Sequence, residues 1–194
     1  RRQRRGRLHA VADAGFRDLD QVVDRHRGGQ LFGREVRDVQ GDADGHRNSH
    51  QQGEEEKEVS RVVLDTNVLI SALLLKGRLN EFVDLWKIGT IAPVLSKATF
   101  SELMAVLGYP KFDLSDNEIR SIVEDELLPY FTVIEIEEEV SGICRDANDD
   151  MFLAAAVNAK ASFIVTGDKD LLELENFRSI RIVTAHEYLD IMKP

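Results

Sequence analysis

Apolar residues follow no sustained period up to about position 58 and become regular immediately after it. "RVVLD" (Arg61 to Asp65) is a short β-branched run ending in an acid, the pattern of a buried parallel strand. "TNVLISALLL" follows with helical apolar spacing and a stop at Gly77, and "LNEFVDLWKIG" is a second helix closed by Gly89. "IAPVLS" predicts a second strand, after which Ser96 can cap the helix "KATFSELMAVLG". "SDNEIRSIVEDELLPYF" opens with the capping signal Ser-x-x-Glu at Ser115 and Glu118, and places Ile119, Ile122, Val123 and Leu127 on one stripe. "FTVIEI" is the third strand. An alanine-rich helix entered through "CRDANDDMFLAAAV", the strand "SFIVTGD", a short helical "KDLLELE", the strand "IRIV" and a last helix, "AHEYLDIM", complete the chain.

Strands alternating with helices call for an α/β fold: a parallel sheet covered on both faces with right-handed crossovers, a three-layer α/β/α sandwich. Ligands of such sheets bind outside the carboxyl ends of the strands, so the acids there are the candidates for chemistry. Asp65 directly follows strand 1, and Asp168 lies three residues after "FIV". The competing reading for each is a turn or N-cap aspartate, the commoner fate of a lone strand-end Asp. Glu102 sits two turns into the helix after strand 2, on a small-residue face with Ala98, Thr99, Ala105 and Val106 that could pack near the sheet. The competing reading is a solvated helix former.

In "CRDANDDMFLAAAV", Asp146 can be an N-cap with Asp149 at N3, resembling a capping box, and the helix dipole favours acids throughout that turn. Helical geometry separates the three aspartates. Asp149 aligns with Phe152, Leu153 and Ala156 and should point over the sheet, whereas Asp150 lies about 100° further round and reads as a dipole-favoured surface acid. Carboxylates converging on one spot repel and raise one another's pKa unless a cation holds them. An all-oxygen set suits Mg²⁺ or Mn²⁺; with no cysteine or histidine in it, zinc does not fit.

Composition divides the chain unevenly. Residues 1–58 are rich in Gly, Arg, Asp and Gln, hold four of the five histidines and balance 12 basic against 12 acidic residues, leaving the whole net charge of −10 to residues 59–194. Such a segment cannot bury enough apolar surface to offset its ordering entropy, so 1–58 is expected to be a disordered or non-native extension, and 59–194 the globular domain. The chain starts with Arg, and "GEEEKEV" would be encoded by purine-rich codons of the kind found in a ribosome-binding site. The expectation is therefore that 1–58 is translated upstream sequence with the natural start at Val59 or Val62; non-GTG codons at both valines would exclude it. The single cysteine, Cys144, excludes a disulfide framework and fits a reducing compartment. No apolar run approaches a membrane span, and a cytoplasmic protein without membrane contact is expected.

The stretches "VVLDTNVLISALL", "SELMAVL", "CRDANDDMFLAAA" and "FIVTGDKDLL", in that order and spacing, resemble the PIN-domain nucleases, in particular the VapC-like toxin components of bacterial and archaeal toxin–antitoxin pairs. The resemblance runs from about Arg61 to the C-terminus. It implies a five-stranded parallel sheet sandwiched by helices and an acidic quartet at Asp65, Glu102, Asp149 and Asp168, serving as both metal ligands and catalytic residues. The third acid is assigned by its place 17 residues before Thr166, which is Asp149 and not Asp150. Asn67 and Thr166 match polar positions beside the metal, although Asn67 is equally a helix cap.

The implied activity is Mg²⁺- or Mn²⁺-dependent RNA cleavage by an activated water, leaving 5′-phosphate and 3′-hydroxyl ends. The implied partners are an RNA substrate, a cognate antitoxin covering the groove, and a second copy of the chain in a homodimer. A net charge of −10 is unusual for a nucleic-acid enzyme. Lys76, Arg78, Lys97, Lys111, Arg145 and Lys169 are the candidate phosphate contacts, each otherwise an ordinary surface charge. Two rivals share the pattern: a PIN-like module that binds RNA or protein without cutting, and a haloacid-dehalogenase-like phosphatase. The phosphatase needs an aspartate two residues after the nucleophile, and that position is Asn67.

Overall fold

The computed structural model describes residues 59–193; the extension 1–58 lies outside the described residues. The expected alternation is present. Strand β1 (Ser60–Leu64) leads into α1 (Thr66–Leu74), α2 (Glu81–Lys87) and β2 (Ile91–Ser96). Then come α3 (Lys97–Leu107), α4 (Asp116–Ser121), which widens into a π-helical stretch at Ile122–Leu127, and β3 (Thr132–Ile134). Helix α5 (Asp150–Ala159), β4 (Phe163–Val165), α6 (Lys169–Leu172), β5 (Asn176–Phe177), β6 (Ile180–Val183) and α7 (Ala185–Ile191) follow.

The sheet order is β3-β2-β1-β4-β6-β5. Five strands are parallel, as expected, and β5 is a sixth, paired antiparallel to β6. Two residues carry no period, so "NF" could not be told from a turn in the sequence. Its hairpin is set by Arg178, whose φ of +56° is left-handed.

Alternation along the strands divides the core between two faces. Val62, Leu64, Ile91 and Leu95 face α1, α2, α3 and α7 through Leu69, Trp86, Phe100, Leu103 and Tyr188. Val63, Val94, Ile164 and Ile182 face α5 through Phe152, Leu153, Ala155 and Ala156. The alanines let α5 lie close to the sheet, which brings its amino end to the strand ends. The molecule is the expected three-layer α/β/α sandwich.

Helix starts follow the caps read from sequence. Ser96 accepts from Thr99 N, and Ser115 from Glu118 N, each with a reciprocal bond to the cap's own N–H. Helix α1 ends at Leu74, where Leu75 turns extended, three residues before the expected stop at Gly77. Gly89 closes α2 with φ +75°.

Candidate active site

The chain runs outward from β1 through β2 to β3, then crosses back to β4 and β6 on the other side. The switch point is the crevice between the carboxyl ends of β1 and β4, which are neighbours in the sheet. Asp65 and Asp168 follow those two strands.

Asp65 is buried and fills the cap role that the sequence allowed, with its second oxygen at the strand end. Its Oδ1 accepts from Asn67 N at 3.0 Å, capping α1, and its Oδ2 accepts from Thr166 Oγ1 at 2.6 Å. Thr166 is fully buried, and the same hydroxyl oxygen accepts from Asp168 N at 2.9 Å. Asp168 in turn caps α6: its Oδ1 accepts from Asp170 N at 2.7 Å and Leu171 N at 3.3 Å. Asn67 contributes its backbone N–H to the cap, while the residue itself is exposed.

Glu102 leans inward from α3, which packs against α1. Its Oε2 accepts from the hydroxyl of Thr66, a buried residue, at 2.6 Å. Burial raises its pKa above the usual range; the Thr66 bond opposes this, and the charges of Asp65 and Asp146 add to it. The small-residue face expected to pack near the sheet is half open, because Ala98 and Ala105 are exposed. The Thr66 bond is what turns the side chain in.

Asp149 precedes α5 without making a side-chain cap bond. Its pKa is pushed up to about 6, first by burial and then by the charges of Asp168, Asp146, Asp65 and Glu102. The charges of the other three acids expected there therefore all bear on Asp149, as does that of Asp146. Asp146 is exposed, and its Oδ1 accepts from Asn148 N and Nδ2, each at 2.9 Å. It caps the turn before α5, and Asp149 does not return a bond, so the expected capping box does not form.

Asp150 departs furthest from its expectation as a surface acid. It is only 4% exposed, and both its oxygens are taken by backbone N–H groups of Gly142, Ile143 and Cys144. Burial pushes its pKa up, yet those bonds outweigh burial and hold it below the usual range. The same burial, with Asp150 alongside, pushes the Cys144 thiol up to about 12, leaving it un-ionised at neutral pH.

Among the described residues no three Asp, Glu, His or Cys side chains are already placed to hold an ion together. The chemistry of the donor set nevertheless fits a hard divalent cation: the donors are carboxylates alone, and their mutual repulsion at Asp149 is what a cation relieves. Of the candidate basic contacts, Lys97 and Lys169 start helices at strand carboxyl ends, and Arg145 pairs with Asp170 at 2.7 Å, two residues from Asp168. Lys76, Arg78 and Lys111 follow the carboxyl ends of α1 and α3, helices of roughly 13 and 16 Å that run away from the crevice, so they lie at the opposite end of the sheet. Arg78 pairs there with Asp190, and Lys111 lies over the Phe112 ring.

Sequence reasoning missed Thr66 and the structural role of Asp150. Thr66 stands directly after Asp65 and could have been noticed as the first buried hydroxyl of α1. Asp150 was hidden by its two acidic neighbours.

A family model for the PIN domain matches residues 61–170. An uncharacterized protein of Methanocaldococcus jannaschii is 33% identical over 127 residues, which cover 62% of this chain and 79% of that protein. The span matched by the family model takes in Asp65, Glu102, Asp149 and Asp168.

Proposed function

The chain belongs to the PIN-domain family, which is of nuclease type, and from that premise we propose that it is a metal-dependent endoribonuclease, the toxin of a toxin–antitoxin pair. The observation that carries the reading is the state of Asp149: four further carboxylates bear on it from β1, α3, β4 and the loop before α5. A fold gains nothing in stability from such crowding, whereas a cation site requires it.

Asp65, Glu102, Asp149 and Asp168 would hold the ion, Mg²⁺ or Mn²⁺. When bound, it lowers the pKa of a water and offsets charge on the scissile phosphate. The protein's own part is positioning. Thr166 fixes Asp65 and the Asp168 backbone at the switch point, and Thr66 keeps Glu102 turned in. Asp149, with a pKa of about 6, is largely ionised at neutral pH and so would offer the ion a carboxylate, while below that pH a proton would compete with the ion. Lys97, Arg145 and Lys169 stand at the strand ends where an RNA phosphate would approach. With so few cations there, recognition rests on RNA shape or on a second copy of the chain. A cognate antitoxin, a homodimer and a cytoplasmic location belong to the same proposal; no helix among the described residues is long and apolar enough to cross a membrane.

The test is incubation of the purified protein with structured RNAs in Mg²⁺, Mn²⁺ or EDTA. Metal-dependent cleavage that disappears in both Asp65→Asn and Asp149→Asn supports the proposal. Equal cleavage by the variants means a contaminant and removes it. The toxin assignment is tested separately by the gene neighbourhood, where a small overlapping upstream gene for a DNA-binding protein is expected.

A further inference from the structure

Three consecutive backbone N–H groups close on one buried carboxylate. Gly142 N donates to Asp150 Oδ2 at 2.5 Å, while Ile143 N and Cys144 N donate to Oδ1 at 3.2 and 2.8 Å. Gly142 has φ +73°, the left-handed turn that lets successive N–H groups converge on one anion. A carboxylate is acceptor-only, so it suits this cradle, and such charge-assisted bonds are the strong ones. The segment 140–149 otherwise has no ladder of its own. Val140 and Cys144 touch the α5 core, Arg145 reaches Asp170 at 2.7 Å, and Asp146 and Asp149 follow.

We propose that Asp150 is a positioning residue: it fastens the 142–144 strap to the head of α5 and thereby sets Asp146 and Asp149 in the carboxylate cleft, so the cleft's divalent affinity depends on a residue whose two oxygens are both engaged by the strap. This rests on the reading of the cleft as a cation site. Asp149 is the immediate chain neighbour of the buried anchor and lacks a cap bond of its own. Its orientation is therefore inherited from what holds residue 150. Asp146 lies inside the 144–150 loop that the anchor closes, directly after Arg145, whose pair with Asp170 ties the loop a second time. In Asp150→Asn the shape is kept, but with the amide oxygen in the Oδ1 place its NH2 stands where Oδ2 accepted from Gly142 N, so that attachment is lost and two donors face each other there.

Two readouts distinguish this from a merely structural role. Mn²⁺ affinity, measured from the free-ion electron paramagnetic resonance signal, should weaken about 10- to 100-fold in Asp150→Asn, as for other groups that orient a ligand. Cys144 is the only cysteine of the chain and lies inside the strap, so its labelling by a thiol reagent should accelerate by roughly the factor by which the strap opens more often. Melting should remain cooperative. Unchanged Mn²⁺ affinity and unchanged labelling in a folded Asp150→Asn protein overturn the proposal.

Should that variant fail to fold, wild-type amide exchange decides. Protection of the Gly142, Ile143 and Cys144 amides comparable to that of α5 supports the fastening, and exchange at the rate of an open loop overturns it. If the wild type itself binds no Mn²⁺, the cation-site reading fails and takes the metal half of the proposal with it, while Cys144 labelling still decides whether Asp150 fastens the strap.

Discussion

The Thr166 hydroxyl reaches back 101 positions along the chain: it donates to Asp65 Oδ2 at 2.6 Å and accepts from Asp168 N at 2.9 Å. One oxygen thus ties the carboxylate after β1 to the turn after β4, the two neighbouring strands between which the sheet reverses its order. The rotamer of Asp65 is held on one side by this bond and on the other by the cap to Asn67 N.

Thr166→Val keeps the shape but strands two partners, a buried carboxylate oxygen and the Asp168 N–H. A loss of about 1–3 kcal/mol in urea unfolding is expected. Metal-dependent cleavage should fall about 10- to 100-fold, the usual cost of removing a group that orients a ligand. Thr166→Ser keeps the hydroxyl and should stay close to wild type in both. A Val variant as stable and active as wild type would show that the bond has no such role.

Thr66→Val acts on Glu102 through charge. The hydroxyl stabilises the ionised carboxylate and so partly offsets the rise that burial imposes. Without it, the Glu102 pKa should move further up, visible as a shifted titration of its side-chain carbon in NMR at low salt. A raised carboxylate pKa means stability that is present at low pH and lost as pH rises through the folded value. The variant should therefore lose more stability than wild type between mildly acidic and neutral pH. A Glu102 titration that stays put or moves down would contradict the Thr66 assignment.

How much of this was legible beforehand depended on whether the signal was local. The five parallel strands, the caps at Ser96 and Ser115 and the stripe at Ile119, Ile122, Val123 and Leu127 are written in short-range periods, and all are present, with Ile122 half-buried at the stripe's edge. Asp65 and Asp168 could be placed because strand ends are visible in sequence. The Thr66–Glu102 bond and the Asp150 cradle join segments whose approach only the fold creates, so no spacing rule announced them. β5 was invisible for the opposite reason: two residues are too few to carry any pattern.

Metal loading should stabilise the protein. Anything that binds only the folded state adds RT ln(1 + [L]/Kd), about 2.7 kcal/mol at a hundredfold excess over Kd. Thermal unfolding with Mn²⁺ and then with excess EDTA should show the gain and its reversal. In Asp65→Asn the gain should largely vanish. An Mn²⁺-induced rise of equal size in that variant would place the ion elsewhere.

Asp149→Asn should lose function and, without metal, gain stability. In the folded protein the Asp149 carboxyl titrates near pH 6, against 3.8 for the ordinary side chain, because burial and four neighbouring carboxylates disfavour its charge. The folded state thus binds a proton more tightly than the unfolded state. Its contribution to stability is complete below about pH 4 and is lost as pH rises through about 6. At neutral pH the wild type keeps a charge its fold resists; asparagine removes the charge and that pH-dependent loss together. Metal-free unfolding should therefore show a flatter pH dependence between 4 and 7 for Asp149→Asn, with a higher midpoint than wild type at pH 7. Adding Mn²⁺ should reverse the order, since only the wild type then offsets the repulsion by binding. A variant less stable than wild type in metal-free buffer at pH 7, with the same slope against pH, would mean that Asp149 is not the acid on which the other carboxylates converge.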